Sequence, residues 1–329
     1  MSFFSSLFSL LKPAPPPDPD VLKALERIGV LVDPLLPNSP GFEKILSLPV
    51  RNALDYCRRI VDQIPGPHAI NRQSFSSDPL VHALFATADD IRHMLGKSAS
   101  VREYLKKGIS LENDCFHALL AARRQSKKAL GVALEGDIVR SDVPLEYLFF
   151  SEHVLIDSAL GADECRTRIC EKTFDGLLRS FRSHLDSDRE KRQELRDNRD
   201  IERGQISLLR GQGTYVELDA HTRRVGELEK NLGKMVDALQ PAEIIEALAN
   251  FLMVPESAMQ IEPVSVPIDR TGVIQPATQG ATGVENLRFE QFTGRDRRRY
   301  IVLIACIRRA DAAEAVAEMQ DLQHRNLII

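Results

Sequence analysis

Two Asp-x-x-His pairs, Asp90 with His93 and Asp114 with His117, come nearest in type and spacing to a reactive centre. On a helix, a spacing of three puts carboxylate and imidazole on one face, the arrangement with which di-iron bundles present Glu and His ligands. The neighbouring apolar residues point the other way. At 100° per residue, both histidines fall roughly 160–180° from the apolar centre of their segments, whereas bundle ligands face inward. Surface positions are therefore expected, and no metal. Glu152 and His153 form a second candidate. Glu152 falls inside the apolar stripe of its segment and His153 at its edge, and a buried acid beside an imidazole can acquire pKa values suited to acid–base work. The plainer alternative is a structural acid paired with an arginine.

Arg295, Arg297, Arg298 and Arg299 crowd one expected hairpin turn, with Arg308 and Arg309 at the far end of the following strand. Such a cluster can hold a phosphate or a nucleic-acid backbone. Asp296 interrupts it, Glu285 and Glu290 are near in sequence, and no set of stacking aromatics alternates with it, so a solvated turn is the plainer reading. Arg210-Gly-Gln-Gly-Thr214 lacks both the preceding strand and the Gly-Lys-Ser/Thr of a phosphate-binding loop. Gly-x-Ser-x-Gly, His-Glu-x-x-His and paired Cys-x-x-Cys are absent. No catalytic, cofactor-binding or metal-ligating residue is assigned on this basis, no cofactor is expected, and the reading leans away from an enzyme.

Composition sets the frame for these candidates. The 329 residues suffice for two domains, with 43% hydrophobic and 27% charged side chains, ordinary for a globular protein. A net charge of −4 gives no bulk attraction toward nucleic acid or anionic lipid. The five cysteines are odd in number and carry no metal spacing, which points to reduced thiols in a cytoplasmic protein. No apolar run reaches membrane-spanning length.

The elements follow from periodicity. In residues 1–12, Phe3, Phe4, Leu7, Phe8, Leu10 and Leu11 fill one side of a helical wheel and serines fill the other. An interfacial membrane helix, a helix docked in a partner's groove, and a helix packed on the protein's own surface all satisfy that pattern. A proline-rich linker, 13–20, follows as a stiff spacer. Residues 21–160 read as a helical body. Within it, Leu111, Cys115, Leu119, Ala122, Ala129 and Ala133 suggest one long helix across Arg123, Arg124, Lys127 and Lys128. Residues 145–160 fit helical spacing better than a strand.

The dominant feature is a helical hairpin over 161–252. Its first helix carries Cys170, Phe174, Leu177, Leu178, Phe181 and Leu185 on one face, within an arc of about 100°. Between Asp186 and Arg203, 13 of 18 residues are charged, too many for that part to be buried. Gly211 and Gly213 mark the turn. Val225, Leu228, Leu232, Met235 and Leu239 then repeat at spacings of three and four, a short heptad seam that closes within one chain or between two. From 256 to 329 the period shifts. Val264, Val266 and Ile268 alternate on an edge strand marked by Pro263 and Pro267. Segments 287–292 and 300–307 form a hairpin, the second buried on both faces, and a helix closes the chain.

The expected fold is mainly α, a helical body with a long antiparallel, coiled-coil-like hairpin and a small C-terminal α+β unit. The function this favours is a non-enzymatic interaction or scaffold protein, binding a protein partner or itself through the hairpin. Its N-terminal helix would tether it to a partner or to the inner face of a membrane. The alternatives are an enzyme with a cleft between the helical body and the C-terminal unit, and a nucleic-acid-associated protein using the turn at 295–299.

Overall fold

A computed structural model of the chain describes residues 18–108, 114–135, 138–212, 215–269, 271–275, 284–294 and 297–326. The N-terminal residues Phe3, Phe4, Leu7, Phe8, Leu10 and Leu11, the spacer up to Pro17, the turn residues Gly213 and Thr214, and Arg295 lie outside the described residues. The chain divides into two compact units, Met1–Asp55 with Asp175–Pro255, and Tyr56–Phe174 with Glu256–Ile329.

The first unit is helical. Helix α1 (Pro19–Leu31) starts on the Asp18 carboxylate, which accepts from the Asp20 N–H, with Pro19 preset in the first turn. Helix α2 (Phe42–Gln63) runs unbroken through Pro49, where two separate helices are expected from sequence. The unit's buried side chains include Leu25 and Ile28 of α1, Leu46 and Val50 of α2, and Leu177, Leu178 and Phe181 of a 51-residue helix, α7 (Ala162–Gln212). Ile245 and Leu248 of α9 (Pro241–Met253) complete that interior. Polar ties fix the packing. Arg27 donates through two nitrogens to Asp175, which is buried, and Asn52 donates to the Leu252 carbonyl at 3.0 Å. Helix α8 (Tyr215–Ala238) runs back along α7, with Arg203 bound to Glu229 and Glu202 bound to both His221 and Arg224.

The second unit overturns the mainly α expectation. It is built on a six-stranded sheet, antiparallel except at its shortest strand. The strands are β1 (His68–Ala69), β2 (Cys115–Glu135), β3 (Ile138–Ala159), β4 (Met259–Ile268), β5 (Glu285–Gly294) and β6 (Arg299–Arg308). The order is β3-β2-β6-β5-β4, and β1 pairs in parallel with β6. The two stretches read as helix, 110–136 and 145–160, fall instead, where described, on strands of 21 and 22 residues, Cys115–Glu135 and Ile138–Ala159. The C-terminal strands do not form a unit of their own, because β6 pairs along its length with β2, from Cys115↔Arg308 to Arg123↔Tyr300.

The interior follows a period of two. Phe116, Ala118, Leu120 and Ala122 of β2, Ile301, Leu303, Ala305 and Ile307 of β6, and Leu287 and Phe289 of β5 all enter one core. Helices α5 (Ala88–Lys97), α6 (Ala99–Lys106) and α10 (Arg309–Asn326) add Leu95, Val101, Tyr104 and Ala315 to it. Gly96 lets α5 approach α10 closely, since a Cβ there would sit 2.5 Å from the Ala315 carbonyl. On the opposite face, Val302 and Ile304 meet Val61, Ile64, Cys165 and Ile169, so β6 is covered on both sides, as its unbroken apolar run requires. The end strands are then linked. Ile274 donates to the Glu146 carbonyl at 2.7 Å, Leu148 donates to Gly272 at 2.9 Å, and Ile274 also bridges Ile268 of β4. Segment 271–275 thus joins β3 to β4 and turns the sheet into a barrel-like ring.

Strand β3 achieves its curvature with bulges. At three places, two steps along β2 face three along β3, and the extra residues include Asp142, Glu152 and Asp157. Each holds a left-handed backbone, with φ of 62°, 54° and 54°. Such bulges increase the local twist and spoil the strand as a template for edge pairing. Asp157 carries an added cost. Its Oδ2 is buried without a hydrogen-bond partner among the described residues, and burial raises its pKa above the ordinary value. The folded state therefore binds this proton more tightly than the unfolded state. Its contribution is most favourable below the unfolded pKa and is lost as pH rises through the folded one. Asp157→Asn removes the charge and suits the left-handed conformation. Thermal unfolding is expected to show a gain of about 1 kcal/mol at pH 7 that vanishes near pH 3; an equal change at both values contradicts the account.

Candidate functional site

One cleft of about 660 Å³ opens within the sheet unit, lined by four separated stretches of chain. Among the described residues these are 79 with 82–86, 148–150, 268–269 with 271–272, and 285–287. Helix α4 (Pro79–Leu84) forms one wall. It starts on Asp78, whose Oδ1 accepts from the Leu80 and Val81 N–H groups at 2.8 and 3.4 Å, and it ends at Phe85 in extended backbone. Leu148, Phe149 and Phe150 of β3, the end of β4 at Ile268 and the start of β5 at Leu287 form the others. Leu148 and Phe150 enter the core, and Phe149, 38% exposed, also borders the cleft.

The turn after β4 is organised by Asp269. Its Oδ1 accepts from the Thr271 N–H and hydroxyl and from the Val273 N–H, at 2.7–3.0 Å, and its Oδ2 accepts from the Gln275 amide at 3.1 Å. Burial opposes ionisation here, but the hydrogen bonds outweigh it and hold the carboxyl below its usual pKa. Asp269 is thus a fixed anion whose oxygens are engaged, unlike a proton-transfer group. His82, facing the same cleft, hydrogen-bonds through Nδ1 to the Phe75 carbonyl at 3.2 Å. In that tautomer its Nε2 is left as an acceptor.

His153 stands behind the α4 wall. Its ring stacks on Phe85 with centroids 4.6 Å apart, and its Nε2 lies 2.6 Å from the Leu84 carbonyl. Burial lowers its pKa, and the carbonyl contact only partly offsets that. Sequence periodicity assigns the pair of side chains the wrong way round. Glu152, expected inside, is more than half exposed at a bulge and ion-paired with Arg123 at 2.7 Å, while His153 is half-buried. A helical wheel cannot place neighbours that a strand sends to opposite faces.

The other candidates are dispersed. Asp90 caps its own helix, accepting from the Thr87 N–H at 2.8 Å, and His93 is exposed. His117 lies on β2 with Nδ1 3.2 Å from the Leu160 carbonyl, and a strand separates it in direction from Asp114. Among the described residues no group of three His, Cys, Asp or Glu could hold a metal ion.

Arg297 and Arg298 lie just ahead of β6, which Arg299 opens. The fold brings them toward the separate basic group at Arg123, Arg124, Lys127 and Lys128. Arg124 has its pKa lowered by burial and then by Arg299, against Glu146 and Glu262. Its guanidinium donates to Gln291 at 2.7 Å and lies 5.7 Å over the Phe289 ring, and Gln291 donates in turn to Glu262. The acids make this a structural network, tied into the core through Gln291.

The seam residues Val225, Leu228, Met235 and Leu239 are half-buried and Leu232 is buried, while most of the rest of α8 is exposed. Along α7 the half-buried row runs through Asp188, Arg192, Leu195, Arg199, Glu202, Ile206 and Leu209.

His153 supplies a pH signature. Because its folded pKa is depressed, the neutral ring contributes fully above the unfolded value near 6.5 and its contribution is lost as pH falls through the folded value. His153→Gln retains a donor for Leu84 without the titration. Unfolding midpoints between pH 7 and 5 are expected to fall less steeply in this variant than in the parent, and parallel curves contradict the assignment. No protein-family model, no curated protein and no solved structure matches the chain.

Proposed function

We propose that the chain is a non-enzymatic interaction protein that binds a protein partner through the outer face of its α7–α8 arm. The observation that carries this reading is a set of exposed apolar side chains on an otherwise charged arm. Ile201, Leu208 and Val216 are 62%, 64% and 87% exposed. Ile201 and Leu208 are seven residues apart, so they share one face of α7, turned away from the half-buried row that meets α8. Beyond Leu185, α7 has no fully buried residue among those described. An arm that buries so little of itself gains from a partner that covers its exposed apolar side chains.

The compartment that fits is the cytoplasm, since all five cysteines are free thiols. Among the described residues no helix is long and apolar enough to cross a membrane. A tether through residues 1–12 adds to this reading, and its support is the division of Phe3, Phe4, Leu7, Phe8, Leu10 and Leu11 from the serines.

Both parts are testable. With a photo-crosslinking residue at position 201 or 208, discrete adducts are expected in the source cell, and none from Glu190 or Lys230. Absence of adducts at every position, or the same adducts from all four, overturns the arm. Liposome co-sedimentation is expected to weaken in a Phe3→Ser/Phe8→Ser variant, and equal binding by variant and parent removes the membrane tether.

A further inference from the structure

We propose that a second copy of this chain pairs with the outer edge of β2, joining the β2–β3 ribbons of the two copies across a two-fold axis into one four-stranded sheet. This interface does not involve the helical arm. Strand β2 runs to Glu135, but β6 accompanies it only from Cys115 to Arg123. From Gln125 to Val132, β2 pairs with β3 and, among the described residues, with no strand on its other side. A two-stranded ribbon of this kind is marginally stable in water until a third strand or a packed face supports it.

The two faces of the ribbon differ. On one, Leu145 of β3 closes over Gly131, where a Cβ would overlap the Leu145 side chain. On the other, Leu130 and Val132 are 70% and 65% exposed. Neither a proline nor a bulge of its own interrupts β2 between Gln125 and Val132, since the extra residue at each bulge lies on β3. Such a long edge with exposed apolar side chains is a template for another strand.

The occupant follows from what the edge needs. An extended segment of another protein adds one strand and leaves a new open edge beyond it. A second ribbon brings the same edge and the same need, so one isologous contact satisfies both copies. A two-fold axis beside Gly131 sets Leu130 of each copy opposite Val132 of the other, on one face of the joined sheet. The same axis keeps the two copies of Lys128 about 20 Å apart, roughly two Debye lengths, so the lysines of the edge do not oppose the pairing.

Sedimentation of the full chain at about 1–200 µM tests the pairing. One strand pair buries less than a standard interface, so a monomer–dimer equilibrium with Kd of about 10–100 µM is expected. Leu130→Lys/Val132→Lys places like charges opposite one another, and is expected to raise that constant at least about tenfold. Both positions are exposed, so the thermal midpoint should hold. Leu130→Lys/Val132→Glu is equally polar but sets unlike charges across the axis, and is expected to dimerise as the parent does. Ile201→Lys/Leu208→Lys, on the arm, should leave the dimer unchanged. A monomer at every concentration overturns the proposal and leaves the edge to a foreign strand. A dimer that the first variant leaves intact, that the second abolishes, or that the arm substitutions dissolve overturns it as well.

Discussion

The Asp269 carboxylate holds the sheet unit closed. An open sheet ending in β3 and β4 would leave two rows of unpaired backbone groups, one along the longest strand in the molecule. The turn that Asp269 organises delivers residues 271–275 to both edges together. Glu146 and Leu148 of β3 and Pro267 of β4 are satisfied by that one short segment. The core residues of β2, β5 and β6 then face an enclosed interior, and the cleft exists because α4 meets the ring where this segment crosses it. A single side chain with four donors thus links backbone satisfaction, core closure and the cleft beside α4.

How much of this was legible in the sequence depends on the element. The caps at Asp18 and Asp78, the hairpin from β5 to β6 and the edge character of β4 follow from local chemistry, and the structure displays each. The sheet itself was not legible. In β2 the inward residues alternate between large and small, Phe116, Ala118, Leu120 and Ala122, and alanine in a strand looks like alanine in a helix. Leu119 and Ala121 between them, and the Arg and Lys residues that follow, are strong helix formers, so intrinsic propensity and tertiary demand conflict there. In β3 the obstacle is phase. Each bulge adds a residue, shifting the alternation at Asp142, Glu152 and Asp157, and what remains imitates a period near 3.6. A strand interrupted every five to ten residues does not announce itself by a period of two.

The site was less legible still. Its four lining stretches are separated by up to about two hundred residues, and only ring closure assembles them. Leu84 and Leu148 read as core in any local pattern, and Glu285 reads as a surface acid. The Asp269-x-Thr271-Gly272 turn was the available signal, since aspartate followed two residues later by a hydroxyl is a turn former with a mechanism. The convergence of Arg124 and Arg299 is similar in kind. Two basic groups some 175 residues apart share a strand border, and the acids and the Gln291 amide that offset them come from three other strands.

The row along which α7 and α8 meet has consequences for motion. Its hydrophobic members are spaced out by Asp188, Arg192, Arg199, Glu202 and His221, so the two helices are held in register by polar contacts more than by cohesion. The 51 residues of α7 extend about 75 Å, and the part beyond Leu185 has little buried surface to lose on separation. Local opening of such a pair costs far less than unfolding the body. The part of α7 beyond Leu185 is therefore the part of this helix held least by buried surface.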